Sequence, residues 1–200
     1  MKLDNSLIFG STTGSGKGSS ITVESGSISL LNGARIESAA SGAGAAGSLK
    51  IEAVNISIAG EGEGFDPKDI EGGETGKMAS SGLVTSTRSE GAAGTISVSG
   101  SVLDMMGGLV SSSSVGNGNA GEVTITVPEV RVLAGGEINT STSGVGQAGQ
   151  VTLTVDNLKV DGRGEPTTIQ SASEGSGAGG QVVIEAAGVE LISGGQISTS

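Results

Sequence analysis

Glu61, Glu63, Asp66, Asp69, Glu71 and Glu74 fall within fourteen residues, with only Lys68 and Lys77 nearby to oppose them. Carboxylate oxygens so crowded are the donors that calcium takes, six to eight at a time. Their spacing fits neither an EF-hand loop nor a nonapeptide calcium repeat, and a run of this kind is more often a solvated loop. Asp104, Arg131 and Lys159 follow one another at intervals of 27 and 28 residues. A carboxylate with basic residues on one face is what an enzyme acting on acidic polysaccharide combines when calcium assists it. One carboxylate beside two cations is a poor calcium site, however, and pairing between neighbours is the plainer reading.

Two glycine patterns suggest phosphate chemistry and fail on context. Gly42-x-Gly44-x-x-Gly47 and the triplets Gly116, Gly118, Gly121; Gly144, Gly146, Gly149; and Gly175, Gly177, Gly180 match the dinucleotide fingerprint. That fingerprint must follow a strand and open a helix, whereas each triplet here precedes a strand. Turns between stacked segments, where glycine permits positive φ and close approach, account for them. The stretch STTGSGKG at 11–18 has Ser11 in place of the first glycine of a phosphate loop and Gly18 in place of its magnesium-binding hydroxyl. Asn55-Ile56-Ser57 and Asn139-Thr140-Ser141 satisfy the glycosylation pattern, the first across an apolar position. No cofactor is expected from any of these patterns.

The elements that would carry these residues must be built without several usual materials. The 200 residues include no Cys, His, Trp or Tyr and only two Phe. Disulfides, His/Cys metal sites and Ser-His or Cys-His catalytic pairs are thereby excluded. Leu, Ile, Val and Phe supply 47 residues, enough for an aliphatic core, and Gly with Pro supplies 41. The net charge of −11, with ten basic residues scattered among twenty-one acidic ones, argues against nucleic acid and against anionic membrane surfaces. The start MKLDNSLIFGSTTG has too short an apolar run for a signal peptide, and no stretch is long enough for membrane insertion.

A repeat supplies the architecture. With Ile21, Leu49, Ile96, Val123, Val151 and Val182 as origins, the steps are 28, 47, 27, 28 and 31 residues. Two residues on stand Val23, Ile51, Val98, Ile125, Leu153 and Ile184; seven on, Ile28, Ile56, Leu103, Val130, Leu158 and Val189; nine on, Leu30, Ile58, Met105, Val132, Val160 and Leu191. A fifth column, after a variable turn, reads Ile36, Val84, Val110, Ile138, Ile169 and Ile197. The spacing of two is a strand period, with Thr22, Lys50, Ser97, Thr124 and Thr152 pointing outward between the first pair. Each unit reads as three short strands, and identical columns in every unit favour an all-β, right-handed parallel β-helix of about six coils over a hairpin sandwich. Outward positions of the second strand then run Ser29, Ser57, Asp104, Arg131, Lys159 and Glu190, which predicts ion pairs from Asp104 to Arg131 and from Lys159 to Glu190.

The chain is expected to be a single β-helix segment over 1–200, cut from a longer array, because no atypical capping repeat is visible. Residues 59–79 form an inserted acidic loop, and 162–166 a smaller one at the corresponding turn. Together they are expected to flank a shallow groove above the Gly107-Gly108 and Gly135-Gly136 turns.

Residues 118–155, GNAGEVTITVPEVRVLAGGEINTSTSGVGQAGQVTLTV, resemble the repeat region of filamentous-haemagglutinin-like exoproteins of two-partner secretion. The likeness is carried by Gly-Asn-Ala-Gly at 118–121, its variants at 146–149 and 44–47, the Gly-Gly before the third strand and the Ser/Thr-rich stretch after it. That resemblance implies a non-enzymatic stalk or adhesin segment of a large bacterial protein, secreted or held at the cell surface. It also implies passage through an outer-membrane transporter barrel, and a host-cell or carbohydrate ligand. The family's N-terminal secretion domain has no counterpart among these residues. Two other readings are weighed beside it: a polysaccharide-active β-helix enzyme of pectate-lyase type, and a calcium-stabilised adhesin module.

Overall fold

A computed structural model describes residues 1–60 and 80–200, and among these the chain is all-β with parallel pairing throughout. The strands are β1 (Lys2–Asp4), β2 (Leu7–Thr12), β3 (Ile21–Leu31), β4 (Arg35–Ala40), β5 (Leu49–Ala59), β6 (Gly82–Thr87), β7 (Ile96–Met106) and β8 (Leu109–Ser114). They continue with β9 (Val123–Thr126), β10 (Glu129–Leu133), β11 (Glu137–Thr142), β12 (Gln150–Asp161), β13 (Thr167–Ser173), β14 (Gln181–Ile192) and β15 (Gly195–Thr199). One sheet is ordered β1-β3-β5-β7-β10-β12-β14, with β9 bridging β7 and β12; the other runs β15-β13-β11-β8-β6-β4-β2. Every strand thus pairs with its counterpart one coil away, which makes a β-solenoid of about six turns. Among the described residues no helix is long and apolar enough to cross a membrane.

In every coil from the first to the sixth except the fourth, the first and second segments run on as one strand, so three segments build two sheets. The ladder still breaks at one residue per coil: Gly26 beside Val54, Val54 beside Ser101, and Asp156 beside Ala187 are skipped in the pairing. In the fourth coil this place is held by Pro128, which lacks a donor, and there the strand divides into β9 and β10. The Pro128 carbonyl accepts from both Asp156 and Asn157.

Inside lie the columns expected from the period of two. Ile51, Ile58, Val98, Leu103, Met105, Ile125, Val132, Leu153 and Val160 are fully buried. Val189 and Leu191 of the sixth coil are 50% and 46% exposed. The fifth column needs one correction: Leu83, not Val84, pairs with both Ile36 and Val110. Two adjacent aliphatic residues follow an insertion there, and composition alone cannot say which one turns inward. The first coil also has more below it than a third strand, since β1 sets Leu3 against Leu30 before β2 sets Ile8 against Ile36.

Two corners close each coil by different means. Between second and third segments the backbone is left-handed at Asn32-Gly33, Ala134-Gly135, Arg163-Gly164 and Ser193-Gly194, and at Gly107. Hydrogen bonds from Ala34 N to Leu31 O and from Gly136 N to Leu133 O close two of these as tight turns with two positive-φ residues, the type I′ geometry. At the other corner stand the fingerprint glycines, none of them in a left-handed conformation. Close approach alone explains them: a Cβ on Gly118 would lie 1.9 Å from Gly91 O, on Gly146 2.0 Å from Gly118 O, and on Gly149 1.8 Å from Gly121 O.

Candidate functional site

The outer face of the second segment brings together most of the polar residues that the spacing singled out. Register places Asp104 beside Arg131 and Arg131 beside Lys159, one rung apart. Arg131 Nε lies 2.9 Å from Asp104 Oδ1, and Lys159 Nζ lies 3.2 Å from Glu190 and 3.8 Å from Asp161. Arg163 shares Asp161 at 3.6 Å, and Asn157 Nδ2 donates to Glu129 Oε1 at 2.6 Å. Asp104, Arg131 and Glu190 are about half exposed, so each pair contributes less than about 1 kcal/mol. Above this face is an open cavity of about 580 Å³, bordered by Glu129, Arg131, Asn157, Lys159 and Glu190.

This arrangement joins Asp104 to Arg131 but turns Lys159 toward Glu190. It therefore does not gather the three residues around one point, and each cation already has a carboxylate. Among the described residues no group of three or more acidic side chains could hold a metal ion. The calcium candidates Glu61, Glu63, Asp66, Asp69, Glu71 and Glu74 lie outside the described residues. So does much of one flank of the groove expected over the Gly107 and Gly135 turns.

Sequence reading passed over the outer face of the third segment. There Glu37 sits beside Phe9 on one side and Val84 on the other. Glu37 is nearly buried; loss of hydration pushes its carboxyl above the usual glutamate range, partly countered by Arg35 and Arg88. Arg35 approaches Glu37 at 3.7 Å and donates from Nε to Ser80 O at 3.2 Å. Farther along, Gln170 Nε2 donates to Glu137 Oε1 at 2.9 Å, and Asn139 is buried between Ser111 and Glu137 with hydrogen bonds to both. That burial removes Asn139-Thr140-Ser141 as an accessible acceptor for glycosylation, while Asn55 is exposed.

Comparison with known protein families, curated proteins and solved structures gives no match to this chain.

Proposed function

We propose that this chain is a supporting segment, stalk or adhesin in kind, of a large bacterial protein that is secreted or displayed at the cell surface, and that it carries no catalytic activity. The observation that supports this reading is the coil-on-coil register of the second segment, in which Asp104, Arg131, Lys159 and Glu190 pair off across rungs instead of converging on a substrate. A parallel β-solenoid transmits load along its axis through hydrogen-bonded ladders, and each coil rests only on its neighbours. Export through an outer-membrane barrel belongs to the same proposal and rests on the resemblance of the repeats.

The test is an assay of the chain against polygalacturonate and similar acidic polysaccharides, with and without calcium. No chain cleavage is expected, and none that depends on Arg131 or Lys159. Turnover that disappears in the Arg131→Ala, Lys159→Ala double variant would establish the lyase reading instead. A melting temperature that falls on chelation would support the calcium-stabilised module.

A further inference from the structure

The outer face of the first segment is neutral and regular over the third to fifth coils. Ser97 stands beside Thr124 and Thr124 beside Thr152, while Ser99 stands beside Thr126 and Thr126 beside Thr154, which makes two columns over three rungs. Between the columns Val98, Ile125 and Leu153 turn inward and are buried, and that alternation fixes all six hydroxyl residues on the outside. Parallel pairing sets the rungs about 4.8 Å apart and the two columns about 6.7 Å apart along the strand. All six residues are exposed or half-buried. Thr124 Oγ1 reaches Glu122 Oε1 at 3.4 Å; among the described residues the other five hydroxyls meet no protein partner. The inward hydroxyls of the third segment differ, since Thr85 and Ser171 donate to glycine carbonyls. The grid is also free of charge in a chain with ten basic and twenty-one acidic residues. Charge returns one rung below, where Lys50 pairs with Glu52 at 2.8 Å, and one rung above, at Glu185.

These features select a partner by elimination. An ionic ligand finds no counter-charge on the grid. An apolar surface would strip water from hydroxyls that have nothing else to bond, which costs free energy. A second copy of the chain, laid grid to grid, would bring the exposed Glu122 and Glu185 of both chains into one interface. A lattice of water meets each requirement, because it is neutral and can donate or accept at every hydroxyl. Hexagonal ice repeats its oxygen atoms at intervals close to the rung spacing along one axis and close to the two-residue spacing along the perpendicular one. Threonine is β-branched and restricted at χ1, and the ladder holds its backbone, so little freedom is lost when the grid meets a crystal. We propose that this face binds ice, its six hydroxyls holding water at lattice positions.

This inference goes beyond the supporting role and does not rest on it. The intact 200-residue chain is added to polycrystalline ice held just below melting, and grain growth is followed by microscopy. A fluorescently labelled chain is also partitioned between ice and liquid during slow freezing. The chain is expected to arrest grain growth and to enter the ice. Thr126→Lys and Thr124→Asp each place a charge on the middle rung and are expected to abolish both effects. Ser57→Lys, which adds a charge to the outer face of the second segment instead, keeps both. Circular dichroism confirms that each variant retains its β spectrum. Unhindered grain growth, or full arrest by Thr126→Lys, overturns the proposal. So does sedimentation as a dimer that Thr126→Lys dissociates, because the face would then belong to a second copy.

Discussion

Val132 and Thr124 differ in what an added charge would meet. Val132 is fully enclosed between Met105 and Val160, whereas Thr124 faces outward between Ser97 and Thr152. Val132→Asp should cost more than about 4 kcal/mol, because a carboxylate there has neither water nor partner. Thr124→Asp should cost no more than about 1 kcal/mol by the same denaturant titration. Equal losses would mean that the columns are wrongly assigned. Glu37 makes a pH-dependent prediction. Folded Glu37 keeps its proton to higher pH than it does unfolded, so its contribution favours the fold below the ordinary glutamate range and is lost as pH rises through the elevated value. Glu37→Gln should therefore gain stability over the native chain at about pH 7, with the difference closing near about pH 4. A less stable variant at neutral pH would show that the pairing with Arg35 and Arg88 outweighs desolvation. The inward positions were legible because alternation fixes the face of every residue, as at Val123 and Ile125. The states of Glu37 and Phe9 were not, since outward residues of one strand look alike until neighbouring rungs bury some and leave others bare.

At the scale of the strand and its corner, the Ser/Thr-rich third segment acquires a structural reason. Its second inward column is Ser38, Thr85, Ser112, Thr140 and Ser171, all completely buried. Gly47 N donates to Ser38 Oγ and Gly121 N to Ser112 Oγ, each at 2.8 Å. Thr85, Ser112 and Ser171 donate in turn to the carbonyls of Gly94, Gly94 and Gly149 at 2.7, 2.9 and 2.7 Å. These hydroxyls supply the partners that buried backbone groups of the glycine corner require. Ser112→Ala should cost about 1 to 3 kcal/mol through the orphaned Gly121 amide. Gly149→Ala, whose Cβ would press on the Gly121 carbonyl, should cost at least that much. Chemical denaturation measures both. Sequence showed that these segments were hydroxyl-rich and that glycines recurred; it did not show that one serves the other, because their contact joins opposite ends of a turn.

Over the whole molecule, the repeat was the most legible property, since the same five columns recur whatever lies between them. The burial of Glu37 beside Arg35 was the least, because it belongs to no inward column. A coil that touches only its neighbours should be removable. Deleting residues 123–150 joins Glu122 to Val151 at the same step of the repeat as the native junction of Gln150 with Val151. The shortened chain should keep its β spectrum and unfold cooperatively, with a denaturant slope lower by about one sixth. Collapse to an unfolded chain would mean that stability is not shared coil by coil. Every described residue with positive φ, from Asn5 to Gly194, stands at the corner between second and third segments, and both long interruptions of the period leave from that corner. The strands flanking residues 60–79 nevertheless keep their pairing with the coils on either side, β5 with β3 and β7, β6 with β4 and β8. Growth in length is thus confined to a single seam up the side of the rod. Descendants of such a gene can lengthen, shorten or exchange segments there, storey by storey, while the frame that carries them stays the same.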